Sequence, residues 1–186
     1  MNAKMFSIGQ NVVYGIHGVC VIEDIRNTSL SSMMPPQNYY VLKQIKRGSV
    51  IYVPCSNESG RYKIRGLLSE NEIYAMIEAI KGDRMEWNVN RKERTAAFRD
   101  ILSQGLSEDL LLMMLCIRER KNEFTDAKKK LSGADNDILT SAENLVIQEF
   151  AFVLGIDEDD VLSFIMERLT DTGDESSYVG YETLDA

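Results

Sequence analysis

The residues best suited to molecular recognition lie between positions 84 and 99. Trp87 is the single tryptophan of the chain. Around it Arg84, Arg91, Lys92, Arg94 and Arg99 stand against Glu86 and Glu93, a local balance of +3. A large planar ring among cations is what a nucleic-acid contact needs. The cations neutralise phosphates and fix the register on the strand. The ring stacks on a base, or wedges at a distorted step from the minor groove. The same pattern supports a second reading equally well: Trp87 as a staple packed on a helical core, with a solvated basic face behind it. Lys128, Lys129 and Lys130, with Arg118, Arg120 and Lys121, form a second basic zone. Taken alone, such a zone is more often a solvated helix end.

Catalytic chemistry finds little to build on. His17 is the only histidine, and no Cys, Asp or Glu recurs near it at metal-ligand spacing, so turn packing is the favoured reading. Gly9, Gly15 and Gly18 match neither GxxxxGK[ST] nor GxGxxG, and a strand-turn-strand lacks the helix N-terminus that would hold a phosphate. The run Asp157-Glu158-Asp159-Asp160 lacks the glycine and distal glutamate of an EF-hand loop, and acids at a helix start are explained by the macrodipole. With one histidine and no GxSxG, neither a Ser-His-Asp nor a Cys-His arrangement can be assembled. The chain reads as a non-enzyme, with no catalytic residue, metal or cofactor.

Two kinds of element must position these groups. The first third carries strand chemistry. Val12-Val13-Tyr14 and Val19-Cys20-Val21-Ile22 flank the turn Gly15 to Gly18, and Tyr39-Tyr40-Val41-Leu42 and Val50-Ile51-Tyr52-Val53 form a second pair closed by Pro54. The stretch from Asn27 to Asn38 reads as a long loop. Four or five short strands in about sixty residues predict a small, bent sheet or half-open barrel, marginal by itself.

From Leu67 the period changes to that of helices. Ser69 and Glu72 form a capping box ahead of Ile73, Met76, Ile77 and Ile80, with Gly82 as the stop. A second helix is expected over about 90–103, ending before Gly105. A third opens at Ser107, a fourth is capped by Ser132 and ends at Gly155, and a fifth is capped by Asp157. The fold class is therefore α+β, divided into a β domain at 1–66, a helical domain at 67–170 and an acidic tail at 171–186 that reads as disordered.

Charge follows the same division. The net charge of −8 looks hostile to nucleic acid. Yet from Asp157 onward ten acids face one base, whereas residues 1–66 hold eight bases against three acids, or +5. The three cysteines, Cys20, Cys55 and Cys116, are too far apart for a zinc half-site and odd in number, which fits reduced thiols in a cytosolic protein. No apolar run is long enough to span a bilayer, and Met1 to Phe6 lacks the apolar core of a secretory signal.

The opening, Phe6, Gly9, Val12-Val13-Tyr14, His17-Gly18, resembles the CarD/CdnL family of bacterial RNA polymerase-binding transcription regulators, whose pattern is approximately F-x-[VI]-G-[DQ]-x-V-V-Y-x-x-[HY]-G-[VA]. Tyr39 to Lys43 and Ile51 to Pro54 match its next strands, and Trp87 with the basic helix behind it matches its second domain. The resemblance covers about residues 5–170. The opening is shared with the polymerase-binding module of the transcription-repair coupling factor, from which the helical half around Trp87 distinguishes this chain.

The resemblance implies a Tudor-like (SH3-like) β domain that docks on the RNA polymerase β subunit. Arg26, Lys43, Arg47 and Tyr52 are the candidate contacts, Tyr52 standing where some members have arginine. It also implies a helical domain that touches promoter DNA in the minor groove, largely independent of sequence, at the upstream edge of the melting region. There it would stabilise the open complex through Trp87, with Arg84, Arg91, Lys92, Arg94, Lys128, Lys129 and Lys130 as DNA-binding candidates. Val89 and Asn90 occupy positions that are often basic in the family. The implied location is the cytoplasm, on the nucleoid through polymerase, with no membrane partner and no small-molecule substrate. The competing reading is a protein-only adaptor that binds polymerase or another partner through its β domain without touching DNA.

Overall fold

The structure is a computed structural model that describes residues 6–30, 35–56 and 64–171; the expected acidic tail beyond Asp171 lies outside the described residues. The first part is an antiparallel sheet of β1 (Asn11–Tyr14), β2 (Val19–Thr28), β3 (Gln37–Gln44), β4 (Val50–Pro54) and β5 (Ile64–Gly66), in the spatial order β4-β3-β2-β1-β5. Five helices follow: α1 (Glu70–Ala79), α2 (Arg91–Gln104), α3 (Ser107–Asp126), α4 (Gly133–Leu154) and α5 (Val161–Thr170). The α+β class, with the sheet preceding the helices, is as the pattern predicts.

The β-branched runs form strands because alternate residues find an inner face. Val12, Cys20, Ile22, Tyr40, Leu42 and Val53 close over Phe6 as a small core. The link between β1 and β2 is a single 3-10 turn, Gly15–His17, with Gly15 and Gly18 both at positive φ. Two strands run further than expected. Asn27 and Thr28 pair with Asn38 and Gln37, so the predicted long loop starts later and ends earlier. The Asn27 side-chain amide also donates to Asn38 Oδ1 at 2.9 Å, which extends the ladder with polar residues that sequence patterning assigns to loops.

In the helical part, α4 touches the other four helices and also β2. Its row Ile138, Leu139, Ala142, Val146 and Phe150 is buried among Ile73 and Ile77 of α1, Phe98 of α2, Leu111 and Ile117 of α3 and Ile165 of α5. The expected start holds at α1, where Ser69 and Glu72 form a complete capping box, and the expected stops hold at α2 and α4, which end on left-handed Gly105 and Gly155. α1 itself ends at Ala79 with Ile80 as its cap, ahead of the expected Gly82. α3 opens at Ser107 as expected, with Leu106 at its cap. One expected cap differs: Asp157 gives no side-chain cap but precedes a 3-10 turn, Glu158–Asp160, that leads into α5.

Sheet and helices meet through polar groups. Gln148 of α4 accepts from the backbone N–H of Val19 at 3.2 Å. Gly18 lies directly beneath it, at φ +69° and ψ −145°, and a Cβ there would stand 2.0 Å from Gln148 Oε1. Gly18→Ala is therefore expected to lower stability by about 1–3 kcal/mol, from a backbone state alien to L-residues plus the displaced contact. Gly9→Ala, also at positive φ but with open space around it, should cost only the backbone share. Urea midpoints check this; equal losses at the two sites would remove the role given to the Gly18–Gln148 contact.

Candidate functional site

Trp87 stands in the segment between α1 and α2, which two asparagines shape. Asn90 caps α2 by accepting from the N–H groups of Lys92 and Glu93. Asn88 Oδ1 accepts from the N–H of Asn90 at 2.8 Å, and both side-chain amides donate to Glu93, at 3.1 and 2.7 Å. Such local side-chain bonds hold a tight turn without help from a core. The turn points Val89 outward at 89% exposure, the highest among the large hydrophobic residues described.

Trp87 itself is half-buried against the helical core, edge-on to Phe98 at 6.2 Å and to Phe124 at 6.4 Å. Guanidinium groups stand by it, Arg94 at 4.1 Å and Arg120 at 5.4 Å from the ring centroid. The two readings of Trp87 thus coexist: it is packed on the core, and it remains partly open beside cations.

Arg94 occupies a different place from the one expected. It is 6% exposed, and it donates from Nε and Nη2 to the two carboxylate oxygens of Asp135 at 3.1 and 2.8 Å and from Nη1 to the carbonyl of Asn88 at 2.7 Å. A guanidinium so committed cannot reach a phosphate at the surface; it holds the loop and the tryptophan instead. Burial works to raise the pKa of Asp135. The hydrogen bonds from Arg94 and Ser132 and the charges of Arg94 and Arg91 outweigh it, leaving the carboxyl below the ordinary carboxylate range.

The other cations are exposed. Arg91 and Lys92 open α2 beside Val89, and Lys128, Lys129 and Lys130 lie in the connection from α3 to α4. That connection starts just past Phe124, which contacts Trp87, and ends at Ser132, whose hydroxyl donates to Asp135 at 2.7 Å. Both ends of the lysine segment are therefore tied to the Trp87 unit. Lys128 turns the chain at φ +55°, the one non-glycine residue at positive φ among those described. The structure so gathers Trp87, Val89, Arg91, Lys92 and the three lysines at one end of the helical part. Arg84 stands apart from them, on a groove it shares with Met85, Leu115 and Met166.

On the sheet, Arg26, Lys43 and Tyr52 share the face opposite the core. Register pairs Lys43 with Val50 and Val21, Tyr52 with Val41, and Arg26 with Tyr39. A bulge at Glu23 between Ile22 and Asp24 makes this possible, since the extra residue turns Asp24 and Arg26 to the outer side. Arg26 pairs with Asp24 at 2.6 Å and Lys43 with Glu23 at 2.9 Å. β4 ends the sheet on this side, with Val50 and Tyr52 exposed. Arg47 is not on this face; it lies in the β3–β4 turn and lines a cleft against α2 and α4.

Three buried charged residues were missed by reading the sequence: Asp135, Glu149 and, as a buried group, Arg94. Their signal was present. Arg94 precedes Phe98 by four residues, Asp135 precedes Ile138 and Leu139, and Glu149 follows Leu145 and Val146, so each charge falls on its helix's apolar stripe. The cysteines offer no activated thiol: burial pushes Cys20 up to about 11 and raises Cys55 and Cys116 as well.

Comparison with known proteins agrees with the front of the chain. The family model described as the CarD-like/TRCF RID domain matches residues 6–68. A protein of Bacillus subtilis (strain 168) named "Putative transcription factor YdeB" is 25% identical over 163 residues, which cover 86% of this chain and 99% of that relative. The resemblance carried by Phe6 to Gly18 is thus borne out over the sheet, and the similarity to the relative extends through the helices.

Proposed function

We propose, taking as premise that residues 6–68 form a CarD-like/TRCF RID domain, that this chain is a transcription initiation regulator. The domain and the relative's name support a role in transcription by contact with RNA polymerase. The finer reading is that the sheet docks on the polymerase β subunit while the helical part contacts promoter DNA at the upstream edge of the melting region. This would place the protein in the cytoplasm, at the nucleoid, without catalysis of its own.

On the sheet side, β4 is an edge strand beside Arg26, Lys43 and Tyr52. An edge of this kind takes a partner strand through main-chain hydrogen bonds, while neighbouring side chains select the partner. The DNA reading is carried by one observation: an exposed apolar apex at Val89, over a half-buried Trp87, is flanked by Arg91, Lys92 and Lys128 to Lys130. Apolar side chains enter a minor groove by unstacking a step, at a cost of a few kcal/mol that is least where the DNA is already distorted. A melting promoter supplies such a step. Binding to free duplex is expected to be weak, since docking on polymerase raises the effective concentration of the second contact.

Promoter opening by the cognate polymerase tests this. The wild-type chain should lengthen open-complex lifetime. Trp87→Ala should shorten it by roughly tenfold, on 1–3 kcal/mol for an aromatic contact with a base, and Val89→Ser should shorten it too, by the loss of an apolar wedge. Val89→Ser is the cleaner variant, because an exposed side chain contributes little to folding. Should the wild type leave the lifetime unchanged, the promoter reading fails. Should both variants match the wild type, the wedge fails and the protein-only adaptor stands, which the packing of Trp87 on Phe98 and Phe124 favours.

A further inference from the structure

We infer that the cleft between sheet and helices is a binding site for a small phosphorylated ligand of the nucleotide class, gripped by Arg47 and Arg99. The cleft has a volume of about 490 Å³ and is walled by the turn after β1, the β3–β4 turn, α2 and α4. That volume falls within the roughly 300–1,000 Å³ of small-ligand sites. A duplex is far too wide to enter it.

The charge of this cleft runs against that of the chain. Its wall carries Lys46, Arg47 and Arg99 and no carboxylate, in a protein of net charge −8. Lys46 is already paired with Glu158 at 2.6 Å. Neither Arg47 nor Arg99 has an acidic partner among the described residues; Arg84, Arg91 and Arg168 share that state, but only Arg47 and Arg99 line one cleft together. Arg47 from the β3–β4 turn and Arg99 from α2 line the same concavity, and a phosphate there is met by charge-assisted, bidentate bonds from guanidinium groups. The imidazole of His17, which also lines the cleft, reports the same field: burial first and then the charge of Arg47 hold its pKa below the ordinary value.

The remaining wall suits the rest of a nucleotide. Ile16, 49% exposed, and Leu102 and Leu145 offer apolar surface for a base, and Asn144 offers amide donors and acceptors. Arg47 comes from the sheet and Arg99 from the helices, so a bound ligand bridges the two parts and stiffens their junction. A ligand held this way is bound rather than transformed, which leaves the non-enzyme reading untouched. The proposal does not depend on the promoter reading above.

Calorimetric titration of the full chain tests it, with guanosine and adenosine triphosphate as probes, inorganic pyrophosphate as the bare phosphate chemistry and sodium sulfate at matched ionic strength as the control. Saturable one-to-one binding of a nucleotide is expected, tighter than pyrophosphate and with no comparable response to sulfate. Arg47→Gln and Arg99→Gln should each weaken it roughly tenfold, the loss for a charged hydrogen-bonding group. Arg168→Gln, which removes the same charge from α5, should leave it unchanged. No saturable nucleotide binding below about 1 mM, an equal response to sulfate, or wild-type affinity in both cleft variants would each overturn the assignment. Competition by a 20-base-pair duplex that abolishes nucleotide binding in the wild type and in the cleft variants alike would overturn it too, by locating the phosphate chemistry on the DNA face.

Discussion

Asp135→Ala is expected to destabilise the folded chain by about 3–5 kcal/mol, because it leaves Arg94 as a buried cation without its counter-ion. The pair is almost closed to water, with side chains 7% and 2% exposed. Asp135 also accepts from Ser132, and Arg94 also holds the Asn88 carbonyl and stands over Trp87. The loss therefore spreads to the start of α4 and to the Trp87 turn. Since Trp87 is the only tryptophan, its fluorescence reads both the unfolding midpoint in urea and the native environment of the ring. The double variant Arg94→Met with Asp135→Leu should recover most of the stability, since an apolar pair of similar size avoids desolvating two charges. It would still lack the nearer of the two cations over the indole, Arg120 remaining at 5.4 Å, so the fluorescence of the folded chain should differ from the wild type even with stability recovered. The pH dependence has a definite sign. The folded pKa of Asp135 is depressed, so its contribution is present above the unfolded value near 3.9 and is lost as pH falls below that through the folded value. The double variant should be free of that acid loss. A single Asp135→Ala variant with an unchanged midpoint would show that the pair has no structural part.

What was legible in the sequence, and what was not, divides by the range of the interactions. Ser69 with Glu72, Ser132 with the N–H of Asp135, and the stops at Gly105 and Gly155 are satisfied within four residues, so local chemistry sufficed to find them. The opening of α3 at Ser107 was legible in the same way, whereas the bond its hydroxyl donates to Glu149, 42 positions away, was not. Arg94 illustrates the harder case. As a member of a basic cluster it looked like a phosphate contact, because composition does not say which face of a helix a charge occupies. Its spacing from Phe98 did say so, and period should have outweighed cluster. The grouping of Arg26, Lys43 and Tyr52 came from the resemblance and was beyond the reach of periodicity: that they share a face depends on the bulge at Glu23, and one inserted residue reverses which side chains do so. Arg47 left that group because a turn residue has no strand parity to bind it there.

Arg65→Ala is expected to have an effect of similar size, again about 3–5 kcal/mol, and to fall on the joint between sheet and helices. Arg65, on β5, donates a fork of bonds to Glu149 of α4 at 2.6 and 2.7 Å, and reaches the hydroxyl of Ser107 at 2.7 Å and the carbonyl of Gly105 at 3.2 Å. Glu149, 3% exposed, also accepts from the N–H of Leu68. Without Arg65, Glu149 becomes a buried carboxylate whose charge partner is gone. The sheet has only a small core of its own, whereas the helices share a much larger one, so a weakened joint should release the sheet first. Urea unfolding followed by far-UV circular dichroism and by Trp87 fluorescence should then give two midpoints where the wild type gives one. Arg65→Lys keeps the charge but not the fork and should fall between. Arg26→Ala, which removes an exposed ion pair with Asp24, should leave the two probes coincident. Coincident transitions in Arg65→Ala would mean that apolar contacts alone join the two parts. Divergent ones would make the Arg65–Glu149 fork the element that holds sheet and helices together, at the same joint that the Arg47–Arg99 cleft spans.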